Sequence, residues 1–169
     1  MKNLPGIVFA CQMALMISTG LLTDKQYIPF CDEMIEKMDT PPYWIMELAV
    51  LRDAKEARDM IYEYIADVAD TSFLEIQYDL HAACLYVKYK RNSSDNPREW
   101  STFLMEIAHF ADAYQMLRHD CSYYYHLLDM YESSNDAKSS ELRQSAAFAK
   151  EFENEIAQIR QWYEPFVRY

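Results

Sequence analysis

Glycine is nearly missing from this chain. Only Gly6 and Gly20 occur in 169 residues. Sheet hairpins and bulges use glycine for positive φ, and phosphate-cradling loops use it for close backbone approach. Two glycines, both near the N-terminus, argue against a β-rich fold, a Rossmann crossover and a P-loop together. Lys and Arg are also missing over one long stretch. From Asp59 to Val87 there is no Lys or Arg, while Asp59, Glu63, Asp67, Asp70, Glu75 and Asp79 all fall within it.

Cysteine is sparse and scattered. Cys11, Cys31, Cys84 and Cys121 lie in apolar stretches with no Cys-x-x-Cys among them. They read as reduced, buried hydrophobes in a reducing compartment, and neither a disulfide framework nor a zinc site is expected. Long apolar runs are lacking too. Ile7 to Ile17 is apolar except for Gln12, which is too short to span a bilayer. Val8-Phe9-Ala10-Cys11 has the outline of a lipoprotein cleavage box. The apolar stretch before Cys11 is too short for one, and no small-residue cleavage site follows the run. The expectation is a buried first helix in a cytoplasmic protein without a membrane role.

Acid and apolar side chains are what is present. The net charge is −11, with 51% hydrophobic residues, so the composition is that of a folded globular chain. Residues 1–80 hold six basic and fourteen acidic side chains, net −8, and residues 81–169 hold ten and thirteen, net −3. Such a field repels nucleic acid. The length suits one domain over 1–169.

The apolar spacing is helical throughout. It predicts an all-α bundle of about six helices ending in a long antiparallel hairpin. Leu4 to Thr19 forms the first helix, with Gly20 closing it. Thr23-Asp24 opens a second helix to about Met38, bent or delayed by Pro29. Thr40 is the expected N-cap of the next, with Pro41 in its first position. Trp44 to Val68 is one helix or two, since Arg52 to Asp59 is polar. Ser72 and Glu75 form a capping box for a helix ending at Lys88, Lys90 and Arg91. Asn96, Pro97 and Glu99 then start a helix whose stripe keeps phase from Trp100 to Tyr131. After a polar turn at Ser133 to Asp136, a last helix carries Leu142, Ala146, Ala149, Phe152, Ile156, Ile159 and Tyr163.

Three sets of residues have the spacing of known chemistry. Glu106-Ile-Ala-His109 resembles the Glu-x-x-His pair of ferritin-like di-iron bundles, which need two such pairs and two further inward carboxylates. Here the second pair is missing, and Glu106 and His109 fall outside the apolar stripe. His119-Asp120 resembles the dipeptide of His-Asp phosphohydrolases, for which His81, His109 and Asp129 are the candidate partners. Glu33-x-x-Glu36 with Glu56-x-x-Asp59 resembles the all-α nucleotide pyrophosphatases. That resemblance implies Mg²⁺ held between two acidic pairs on neighbouring helices, bridging phosphate oxygens.

A fourth set is a surface. Glu56, Asp59, Glu63, Asp67 and Asp70 recur at three- and four-residue steps, opposite Ala57, Ile61, Tyr64 and Val68. Like charges so spaced oppose helix formation, while a single-sign field speeds and selects encounter with an opposite charge. Tyr123-Tyr124-Tyr125 adds exposed aromatic surface, because three consecutive helical residues cannot share one core.

In length, acidity and lack of a catalytic motif, the chain resembles the small helical immunity proteins that bacteria make against their own toxins. The resemblance implies tight one-to-one capture of a toxin domain, often a basic one; the Glu56–Asp70 stripe is the surface expected to meet it, with no cofactor expected. The expectation is thus a binding protein rather than an enzyme. The Mg²⁺-dependent hydrolase is one alternative. A ligand-binding helical bundle with an apolar pocket is the other.

Overall fold

The computed structural model describes residues 6–69, 78–92, 99–115 and 117–169. Among these residues every regular element is helical and no strand occurs. The elements are α1 (Ile7–Ser18), α2 (Asp24–Lys37), α3 (Tyr43–Leu48), α4 (Ala54–Val68), α5 (Tyr78–Asn92), α6 (Glu99–Tyr114), α7 (Cys121–Glu132), α8 (Ala137–Glu151) and α9 (Glu153–Tyr163), with a closing 3-10 turn at Glu164–Phe166. The chain divides into two compact units, Met1–Ile76 with Gln161–Tyr169, and Gln77–Arg160.

The first unit is built around α1, which packs most extensively on α4, while α2 packs on α3. The α1 helix is apolar enough to be buried along most of its length: Ala10, Met13, Ala14, Met16 and Ile17 are all in the core. Gly20 ends it at φ 73°, a left-handed conformation that a Cβ would oppose. Thr23 then caps α2, and Gln26 reaches back to accept a hydrogen bond from its backbone N–H at 3.2 Å. The Gln26 amide donates in turn to the Tyr163 hydroxyl. Pro29 stands inside α2 and leaves it unbroken. Phe30 meets Phe166 in a tilted contact at 4.5 Å and also meets Phe9, which lies 6.2 Å from Trp44.

In this unit two expectations are corrected, the Thr40-Pro41 helix start and the burial of Val68, and one open alternative is resolved. Thr40 and Pro41 do not start α3; Pro42 is its N-cap, and the helix begins at Tyr43. The reason is local. A residue before proline is pushed out of the α region, so Pro41 cannot be helical ahead of Pro42. The segment from Trp44 to Val68 is two helices. Asp53 caps the second, its carboxylate accepting from the N–H groups of Lys55 and Glu56, both at 2.9 Å. Val68, expected on the buried side, is exposed.

The second unit holds α5, α6, α7 and α8, with α6 packed most extensively on α7. Its core is aromatic: Tyr86, Tyr89, Trp100, Phe103, Phe148 and Phe152 form one chain of ring contacts. The expected continuous helix from Pro97 to Tyr131 is two helices lying against each other. Gln115 takes φ 49° directly after α6, and Asp120 caps α7 by accepting from the Tyr123 N–H at 3.1 Å. The last helix is also divided, at Phe152, although the Phe152 to Phe148 and Ile156 to Phe152 backbone bonds continue across the division. On α8 the buried side runs through Ser140, Gln144, Ser145 and Phe148, and Leu142 is 61% exposed. The capping residues expected at Ser72, Glu75, Asn96 and Pro97 lie outside the described residues, as does Asp70.

Candidate functional site

The acidic stripe is displayed on α4 of the first unit. Ala57, Ile61 and Ile65 are buried, which fixes the rotation of the helix and turns Glu56, Glu63 and Asp67 outward, where all three are exposed. None of these three carboxylates makes an ion pair with a described residue. Asp59 differs. Lys55 Nζ donates to it at 2.7 Å and Arg58 Nη2 at 2.8 Å. These hydrogen bonds, that from Lys55 first, hold the Asp59 carboxyl below its ordinary range. The stripe therefore presents three uncompensated carboxylates and one neutralised within its own helix.

Beside the stripe lies a groove that the acidic spacing alone does not reveal. Glu47, Val50, Leu51, Glu56, Asp59, Met60 and Glu63 line a cleft of about 410 Å³. It forms where the chain turns out of α3 and crosses to the start of α4. Val50 N–H donates to the Glu47 carbonyl at 3.2 Å, and Leu51 N–H to that of Leu48 at 3.3 Å, so the turn is locked. The Tyr27 hydroxyl donates to the Leu51 carbonyl at 2.6 Å and ties the turn to α2. Apolar surface is abundant on this side. Tyr43 is 70% exposed, Met46 39% and Val50 76%. Their spacing of three and four residues puts them on one face of α3 and its continuing turn. The Tyr43 hydroxyl is hydrogen-bonded to Glu47, which raises its pKa.

The Mg²⁺ alternative required Glu33, Glu36, Glu56 and Asp59 to converge. They form no such cluster: among the described residues no group of three or more His, Cys, Asp or Glu side chains is placed to hold a metal ion. Glu33 is instead held by Lys37, by the Tyr169 hydroxyl, and by Arg168 at 2.8 Å. Hydrogen bonds from Lys37 and Tyr169 bring its carboxyl down to about 2.

The histidine pairs are likewise accounted for in the second unit. Glu106 accepts from Lys88 at 2.8 Å, and His109 is exposed beside Tyr125. His119 stacks on Tyr123 at 3.9 Å and meets Glu151 at 2.8 Å. Asp120 is occupied as a helix cap. His81 lies flat on Phe110 at 3.7 Å, and burial, helped by Lys88, lowers its pKa to about 4. Tyr124 is buried, whereas Tyr123 and Tyr125 are each 38% exposed. No disulfide joins the four cysteines. Among the described residues no helix is long and apolar enough to cross a membrane. No protein-family model, no curated protein and no solved structure matches the chain.

Proposed function

We propose that the chain is a protein-binding module that neutralises a basic partner through the solvent face of α4, in the manner of the acidic immunity proteins it resembles in type. The observation that supports this is the state of three side chains. Glu56, Glu63 and Asp67 are exposed on one helix face and lack a compensating cation from the described residues. Such an arrangement opposes helix formation by a few tenths of a kcal/mol per like-charged pair. In return it offers a fixed negative surface for steering a cationic surface into register. Four cysteines, none of them joined in a disulfide, fit work in a reducing, cytoplasmic setting.

The test is capture of a partner from extracts of the source cells by the wild type and by the triple variant E56K/E63K/D67K. The wild type should retain a basic protein, identified by mass spectrometry, and the variant should lose it while keeping its helical circular dichroism. Equal capture by both would remove the α4 face from the interaction.

A further inference from the structure

The groove next to α4 narrows the chemistry of the partner. A purely electrostatic surface needs no apolar component, yet this one borders the exposed face of α3. Tyr43, Met46 and Val50 stand outward there, and Leu51 and Met60 line the cleft itself. Large apolar side chains scattered singly on a surface need no explanation, but several gathered beside a groove mark an interaction site. The carboxylates of Glu47, Glu56 and Glu63 line the same cleft. Apolar surface and carboxylates thus share one concave surface within the first unit.

Resting on the α4 reading above, we infer that this groove seats a basic amphipathic helix of the partner. Helix-in-groove recognition places apolar anchors at three- and four-residue steps into a cleft of this kind. The apolar face of the incoming helix would cover Tyr43, Met46, Val50, Leu51 and Met60. Arginine or lysine residues along its border would meet Glu47, Glu56 and Glu63, their aliphatic stems lying on Met60 and Leu51. Charge complementarity selects this occupant. An acidic helix would be repelled by three carboxylates, and a neutral apolar one would leave them desolvated without partners.

The experiment uses the full chain and synthetic peptides of about four helical turns. One carries leucines at three- and four-residue steps with arginines beside them. A second has the same composition scrambled so that no apolar face forms. A third replaces each arginine by glutamate. Titration by calorimetry should show the first binding at least about tenfold more tightly than the second, and the third not binding. Val50→Ser and Met46→Ser, both at exposed positions, should each weaken the first peptide by roughly fivefold through lost apolar contact. Equal binding of the scrambled peptide, or no loss in both serine variants, would overturn the groove. So would a complete lack of binding by the first peptide. If the serine variants bind as the wild type does while E56K/E63K/D67K abolishes peptide and partner capture, the α4 face stands and the groove falls. If the triple reversal leaves partner capture unchanged, the α4 reading falls and the groove inference with it.

Discussion

The indole N–H of Trp100 donates to the side-chain oxygen of Gln144 at 2.7 Å, in the core of the second unit. The Gln144 amide then donates to the Leu127 carbonyl at 3.0 Å. One buried glutamine therefore satisfies a donor on α6 and an acceptor on α7 from its place on α8. A buried polar group is tolerated only when hydrogen-bonded, and each orphan costs about 1–3 kcal/mol. Gln144→Leu should thus destabilise the protein by about 1–3 kcal/mol, because it leaves the buried Trp100 N–H without its acceptor. Trp100→Phe should also destabilise it, but the double variant should lose less than the sum, with a coupling of about 1 kcal/mol. Urea unfolding of the four proteins measures this. Strictly additive losses would show that the contact does not couple the helices.

Arg118 organises the segment between α6 and α7. It pairs with Asp79 at 3.1 Å and with Glu155, donates to the Glu151 carbonyl, and lies over the Phe152 ring at 4.6 Å. Arg118→Ala leaves the Asp79 and Glu155 carboxylates without this cation and strips the ring of its cover. Since the Arg118 side chain is about one-third exposed, solvent screening reduces the loss to about 1–2 kcal/mol. Arg118→Lys should recover only part of it, because an ammonium cannot reproduce a planar fork that bonds in several directions and stacks on a ring. Melting temperatures at low and high salt test this. Full rescue by lysine would mean that charge alone matters at this position.

Acid should destabilise the fold in two separate steps. His81 is neutral in the folded state, with its pKa brought down to about 4 by burial against Phe110 and by Lys88. Its ordinary value is about 6.5. The unfolded chain therefore binds the proton first, and stability present above pH 6.5 is lost progressively as the pH falls from about 6.5 to 4. The loss should be on the order of 2–3 kcal/mol. Glu33 acts lower. Its carboxyl, brought from 4.5 down to about 2 by Lys37 and Tyr169, contributes stability above pH 4.5 that is lost between there and pH 2. Stability measured against pH should fall in both windows. His81→Phe should flatten the upper window alone, and an unchanged slope there would place the titration elsewhere.

How far the sequence announces this architecture depends on the kind of signal. Gly20 and Thr23 act where their chemistry says they should, because a left-handed stop and a helix cap are local demands. Burial of Ala57 and Ile61 also follows from helical spacing, and with it the outward turn of Glu56, Glu63 and Asp67, although the buried face continues to Ile65 rather than to the expected Val68. Periodicity fails at His119-Asp120. An apolar stripe can keep its phase across a reversal, since α6 and α7 bury their stripes against each other as readily as one straight helix would. The polar lining at Ser140, Gln144 and Ser145 escapes for another reason. For Gln144 the burial depends on partners contributed by α6 and α7, which spacing along α8 does not encode. The groove is likewise invisible in the acidic pattern. Glu47 and Val50 belong to α3 and its turn, and they reach Met60 only through the fold. The one available sign was Asp53, an N-cap residue inside the polar stretch, which divides the helix and creates that turn.

The reversal between α6 and α7 can be tested at one residue. Gln115 occupies φ 49°, where the Cβ of an L-residue crowds the backbone. Its N–H still donates to the Ala111 carbonyl at 2.9 Å, so it terminates α6 as glycine does elsewhere. Left-handed geometry costs a non-glycine residue about 1–2 kcal/mol, and glycine avoids that cost while losing more entropy on folding. Gln115 is also exposed, so its side chain contributes little packing. The balance favours Gln115→Gly by about 0.5–1 kcal/mol, seen as a raised melting temperature with unchanged helical content. Gln115→Val should move the opposite way, since a β-branched side chain is the least tolerant of positive φ. If glycine lowered the melting temperature and valine did not, residue 115 would be helical in solution, and α6 and α7 would be one continuous helix.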